Sequence, residues 1–130
     1  MMTRQLGIKA PYDLKLLVVE HKINQTHENH PSLPMGYSKL EPKFNLGRIV
    51  ATSGVMSLGI DLIPFIRRHH CGEWGDLCAN DKKANDLALT NDERILSKYH
   101  VVAASGTRVS IYVITEWDRR ITTILLTEEY

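Results

Sequence analysis

Net charge is what this chain most lacks: sixteen Lys and Arg stand against fifteen Asp and Glu, leaving +1 with the histidines neutral. That balance excludes both a strongly basic nucleic-acid field and an acidic mimic of nucleic acid. Long apolar runs are missing as well. No segment reaches the roughly 20 residues that cross a bilayer, so no membrane is expected as a partner. The N-terminal "MMTRQLGIKAPYDLKLLVVEHK" has a short apolar patch broken by Asp13, Lys15 and Glu20, with no small-residue cleavage site after it, and the expected location is the cytoplasm. Cysteine is scarce, with only Cys71 and Cys78, and in that compartment two thiols are expected free rather than bridged. What is present is ordinary globular composition, 43% hydrophobic and 24% charged over 130 residues, enough for one core and too short for a second domain.

Along the chain, residues 1–46 read as a loop-rich leader with scope for mobility, and residues 47–130 as a single α+β domain. The leader concentrates His, Asn, Pro and Gly in "HKINQTHENHPSLPMG"; its "DLKLLVVEH" suits a short helix or strand. His21, His27 and His30 read as solvated loop residues, because spacings of six and three in a polar loop specify no ligand set. From Leu46 the pattern tightens. "LGRIVAT" predicts a strand, Ser53 a capped helical turn ending at Gly59, and Asp61 a cap for "LIPFIRRHH", with Pro64 in the first turn where its missing N–H costs little. A third helix is expected over roughly Asn80 to Leu89. Three strands follow, "RILSKYHVV", "TRVSIYVITEW" and "RITTILLT", dominated by β-branched and aromatic residues. Helices first and an antiparallel meander afterwards predict an α+β fold, with two to three helices packed on one face of the sheet.

The densest chemistry is "HHCGEWGDLC", residues 69–78. Zinc wants four N or S donors converging tetrahedrally, usually as close pairs from two loops. His69, His70 and Cys71 are consecutive at a helix end, so their side chains diverge by about 100° per step. No paired donors follow downstream. The stretch therefore reads as a helix stop, a tight turn allowed by Gly72 and Gly75, a Trp74 anchor between helix and sheet, and an Asp76 cap. No metal and no cofactor is implied.

Five stretches, "GRIVATSGV", "RRHHCGEWGDL", "NDLAL", "ERILSKY" and "VITEWDRRITTILLTEEY", resemble a family of small uncharacterised proteins carried by plasmids and integrative elements, some of them labelled as restriction-system components. The resemblance runs from about Gly47 to Tyr130, with WGD, ITE-x-DR and TT-x-LL in order. It implies a mobile-element setting and carries no catalytic mechanism. The cysteines belong to the pattern less than Trp74, Gly75 and Asp76 do. In layout alone, helices followed by a meander, the chain is also similar to the compact metal-independent ribonucleases of the barnase and RelE-toxin type. These set a carboxylate or histidine with arginines on an open sheet face.

A two-residue turn at Ser105-Gly106 would pair Ala104 with Thr107 and Tyr99 with Tyr112. Alternation then puts Leu96, Lys98, His100, Val102, Val109, Ile111, Val113, Thr115 and Trp117 on the core face. The open face receives Ser97, Tyr99, Arg108, Ser110, Tyr112, Ile114 and Glu116, and a three-residue reversal at Trp117 to Arg119 adds Arg120, Thr122 and Ile124. On this register Glu116 is the candidate general base and Arg108 and Arg120 the phosphate clamps. Tyr99 or Tyr112 is a stacking platform, with Thr122 and Arg119 as further contacts, although Arg119 reads first as a turn residue. The expected function is engagement of RNA, or of a nucleic-acid-processing complex, through this face, with metal-independent cleavage as the enzymatic form. The alternative is a non-enzymatic binder of a host defence protein, a CRISPR or restriction component, using Trp74, the "LLTEEY" tail and exposed loops.

Overall fold

The computed structural model describes the strand at residues 16–18 and residues 41–130. In chain order the elements are β1 (Leu16–Val18), β2 (Arg48–Thr52), α1 (Ser53–Met56), α2 (Ile63–His70), α3 (Ala79–Asn91), β3 (Ile95–Val102), β4 (Arg108–Thr115), β5 (Ile121–Leu126) and a closing 3₁₀ turn (Thr127–Glu129). The protein is α+β, with the helices before a C-terminal antiparallel meander, as the pattern of periods predicts. The five-stranded sheet has the order β1-β2-β5-β4-β3 and is mixed, because β2 lies parallel to β5 while β1 runs antiparallel to β2. Most of the leader reading concerns residues outside those described; the strand alternative for "DLKLLVVEH" is realised at β1.

Local sequence explains the element ends. Thr52, one residue ahead of the expected Ser53, caps α1 by accepting from the Val55 N–H at 3.1 Å. Asp61 Oδ1 accepts from the Ile63 N–H at 3.1 Å, and Pro64 occupies the first turn of α2. Asp92 ends α3 in the left-handed region at φ 52°. Between α2 and α3, Trp74 is buried and its indole N–H donates to Asp86 Oδ1 at 3.1 Å.

One face of the sheet is the core. Ile49 and Ala51 of β2, Tyr99 and Val101 of β3, Ile111 and Val113 of β4 and Ile124 of β5 pack with Leu46, Val55, Leu62 and Ile66. A second cluster joins Trp74, Ala88 and Ile95, with Phe44, Leu77 and Leu89 against it.

The register differs from the expected one. Ile95 pairs with Thr115, Tyr99 with Ile111 and Val102 with Arg108, so the hairpin loop is three residues, Ala104 to Gly106, with Gly106 at φ 96°. The next reversal is longer too: Glu116 N–H donates to the Ile121 carbonyl across Trp117 to Arg120, and Arg119 takes φ 59°. Each loop holds one residue more than expected, and side chains alternate with a period of two. The faces of β3 and β5 therefore invert, while that of β4 is as expected. Tyr99, Ser97, Thr122 and Ile124 turn inward; Lys98, His100 and Val102 turn outward.

Candidate functional site

The site expected from the sequence does not assemble. Tyr99 is 1% exposed, its hydroxyl donating to the Glu73 carbonyl and its ring lying under the Arg68 guanidinium at 4.5 Å. Burial pushes its phenol well above the ordinary tyrosine range. It is a core residue and offers no stacking surface. Trp74 is likewise buried. Arg119 ties carbonyls together, donating to Ala88 O at 2.9 Å, Glu93 O at 2.7 Å and Glu116 O at 3.1 Å, with its guanidinium over the Phe44 ring. This closes the C-terminal end of α3 against the β4–β5 turn, so the side chain is committed to a structural contact. Arg108 opens β4 and Glu116 follows its end, so eight residues, roughly 27 Å of strand, separate the intended clamp from the intended base. Arg120 sits in the turn beside Asp118 at 3.9 Å. Glu116 is half-buried, and burial raises its carboxyl pKa against the lowering effect of Arg94.

Thr122 belongs to a sealed polar chain. Its hydroxyl donates to the Leu46 carbonyl at 2.7 Å, which leaves Thr115 to donate to Thr122 at 2.7 Å. Thr115 must then accept from His69 Nε2–H at 2.9 Å, and His69 Nδ1 accepts from the Ser97 hydroxyl at 2.6 Å. Every proton is assigned once the terminal carbonyl is fixed. His69 is 0% exposed, and burial, with smaller contributions from His70 and Arg119, lowers its pKa to about 3. His100, placed on the core face by the expected register, is outward, and the buried, hydrogen-bonded histidine is His69. Its ring is spent on packing.

The open chemistry lies on the other face of β3 and β4. His100 stands directly across from Ser110, and its Nδ1 lies 2.8 Å from the Ser110 hydroxyl. Its Nε2 lies 2.6 Å from Asp76 Oδ2, and the His100 and Asp76 side chains are 64% and 59% exposed. A carboxylate only accepts, so Nε2 carries a proton and, in the neutral ring, Nδ1 accepts from Ser110.

Asp76 reaches this point because of the residues before it. The Trp74 carbonyl accepts from Lys98 N–H at 3.1 Å and the Asp76 N–H donates to the Lys98 carbonyl at 2.7 Å, so residues 74–76 run beside β3 as a short parallel partner. Only glycine fits between them. A Cβ at Gly75 would stand 2.0 Å from the Lys98 carbonyl oxygen, and φ is 80°.

Lys98 is one outward position from His100, and Arg108 one outward position from Ser110, each step about 7 Å along a strand. Neither cation makes an ion pair among the described residues. Tyr112, half-buried, opposes Lys98 and keeps its expected face. The outward residues nearer β2 and β5, namely Val50, Thr52, Ile114, Thr123 and Leu125, are buried, so the accessible strip is confined to the β3–β4 hairpin. Sequence reasoning missed His100, Ser110 and Asp76 as a group because a register longer by one loop residue was needed to put the first two on the same exposed face.

Among the described residues no three His, Cys, Asp or Glu side chains converge as metal ligands, and no helix is long and apolar enough to cross a membrane. Cys71 ends α2 and Cys78 precedes α3. No family model matches the chain, and neither does any curated protein or solved structure.

Proposed function

We propose that the chain engages single-stranded RNA along the outward strip of β3 and β4 and cleaves it there, with His100 as the proton-transferring group. The observation that carries this reading is the exposed imidazole held between Asp76 and Ser110 with Lys98 and Arg108 on either side. Hydrogen bonding to Asp76 fixes the tautomer and steadies the imidazolium that forms when Nδ1 takes a proton. A ribose 2′-hydroxyl that takes the place of the Ser110 hydroxyl at Nδ1 gives up its proton there. Its oxygen bonds to the adjacent phosphorus, and the bond to the 5′-oxygen breaks. The leaving oxygen is protonated from water, and the product is a 2′,3′-cyclic phosphate. Lys98 and Arg108 offset the charge that builds on the phosphoryl oxygens. The near-neutral chain relies on this local pairing rather than on a long-range field, so binding is modest and, with few phosphates neutralised, its salt dependence is shallow. The mobile-element setting implied by the sequence resemblance suits such an activity.

An end-labelled RNA oligonucleotide incubated with the full chain in EDTA tests the reading. The parent chain should yield cyclic-phosphate ends, and His100→Ala should slow the reaction by about a hundredfold or more. Glu116→Gln should leave the rate within about twofold, since Glu116 lies six residues from Ser110 along the strand. Undiminished turnover by His100→Ala, or cleavage that depends on Glu116, would overturn it.

A further inference from the structure

Beyond the strip at His100 the outward face carries a second constellation, formed where the start of β3 meets the C-terminal turn. The Tyr130 ring meets the Tyr112 ring edge-on, with centroids 5.2 Å apart and planes at 67°. Its hydroxyl accepts from Arg94 Nη2 at 2.6 Å, and the guanidinium lies over the ring at 5.8 Å. The backbone just before it is anchored, because Glu129 Oε1 accepts from the Thr52 hydroxyl and from the Leu126 N–H, each at 2.8 Å. Tyr130 is therefore pinned at its edge, its hydroxyl and its backbone, yet 42% of it remains exposed. A fixed, exposed aromatic ring gains stacking without first losing rotamer freedom. Beside it, Arg94 Nη1 is withdrawn from water and has no hydrogen-bond partner among the described residues, while Nη2 holds the Tyr130 hydroxyl.

We infer that Tyr130, backed by Tyr112 and rimmed by Arg94, is a nucleobase-stacking subsite, and that the RNA seated at His100 continues along the strands onto it. This rests on the RNA reading above and adds the extent and class of the ligand. The bound segment is single-stranded and longer than one nucleotide, because a base stacked on Tyr130 must be unpaired. Its phosphates run past Arg94, just before β3, Lys98 on β3 and Arg108 on β4. Continuity comes from Tyr112, which touches Tyr130 and stands across from Lys98, one outward step from the His100–Ser110 pair. Stacking recognises any base face, so the subsite discriminates strandedness rather than sequence.

The test is fluorescence anisotropy of the full chain with a labelled 2′-O-methyl RNA oligonucleotide, which binds but has no free 2′-hydroxyl to react. Tyr130→Ala should weaken binding about tenfold, whereas Tyr130→Phe, which keeps the ring, should stay within about threefold. Arg94→Gln should weaken binding and flatten its salt dependence. Tyr130→Leu, which keeps bulk without a π face, should behave like Tyr130→Ala and guards against a packing effect. If Tyr130→Ala and Tyr130→Leu bind as tightly as the parent, the subsite is overturned while the reading at His100 stands. If the parent binds in a Tyr130-dependent way but leaves unmodified RNA intact, the subsite stands and cleavage falls. If the parent binds no single strand at all, both are overturned.

Discussion

Acidification should destabilise this protein through His69. The folded chain holds that ring neutral, with a pKa lowered to about 3 by burial, whereas in the unfolded chain the imidazole titrates near its ordinary value. Between those two values the unfolded state binds a proton that the folded state refuses. Stability from this group is therefore fully present above pH of about 6.5 and is lost as pH falls toward about 3. From pH 7.5 to 5.0 the loss from His69 alone is about 2 kcal/mol, since each pH unit well inside the window costs about 1.4 kcal/mol. His69→Gln supplies the control. Gln can still donate toward Thr115 but leaves the Ser97 hydroxyl without its acceptor, so it should cost about 1–3 kcal/mol at pH 7.5. It cannot ionise, so its stability should fall less on acidification. Urea denaturation of both chains at pH 7.5, 6.5, 5.5 and 5.0 measures the difference, in which all other titrating groups cancel. The parent should lose about 2 kcal/mol more than the variant across that range. Equal losses would mean that His69 either titrates normally in the fold or is not sealed, and the assigned chain of protons from Ser97 to Leu46 would be wrong.

Two further perturbations probe how the site is held. Gly75→Ala drives a Cβ into the Lys98 carbonyl oxygen at φ 80°, so the strand-like contact of residues 74–76 with β3 must open. Expected are a stability loss on the order of 3 kcal/mol in thermal melts and, on the proposed function, loss of RNA cleavage, because Asp76 leaves His100. Unchanged melting would refute the close approach. Arg119→Ala removes three charge-assisted donors from the carbonyls of Ala88, Glu93 and Glu116, and discounting for its partial exposure the cost is about 2 kcal/mol by denaturant titration. RNA binding should persist in the folded fraction; a specific loss of binding at full stability would restore Arg119 as a contact.

Secondary structure and class were legible because periodicity reports burial directly: Leu62 at the cap and Ile66 inside α2 are buried on one side, and the strand-rich end forms the meander. Two things were not legible. The parallel seat of β2 beside β5 depends on which edge of the meander its strand meets after the chain has folded back, a long-range choice that no local pattern in "RIVAT" encodes. The loop lengths were the other. "VVAASGTRV" admits a two-residue or a three-residue turn with nearly the same residues, and the difference of one exchanges Tyr99 with His100 between core and solvent. The composition of the strand gave a poor guide to that choice. On β3 the inward set is Ile95, Ser97, Tyr99 and Val101 and the outward set Leu96, Lys98, His100 and Val102, each half polar. What favours the observed register is hydrogen bonding: it gives Ser97 the His69 ring and Tyr99 the Glu73 carbonyl, partners from elements distant in sequence.

The same distance separates the visible motifs from the chemistry. Strand β3 is the sheet edge, and an exposed edge invites pairing with other chains. Residues 74–76 occupy part of that edge, and Asn85 occupies more, its side chain donating to Leu96 O at 2.8 Å and accepting from Leu96 N–H at 3.1 Å. Asp86 holds Trp74, Trp74 holds the segment, and Arg119 closes the end of α3 that carries Asn85 and Asp86. WGD, NDLAL and the DR of the last turn are thus parts of one clamp on one edge strand. Asp76 alone among them serves both the clamp and the outward surface, through its backbone and its carboxylate respectively. Residues that protect an edge must fit backbone closely and so form conspicuous short patterns. An exposed histidine such as His100 needs only one neighbour across the sheet, Ser110, and one beside it, Asp76, and no stretch of sequence advertises that.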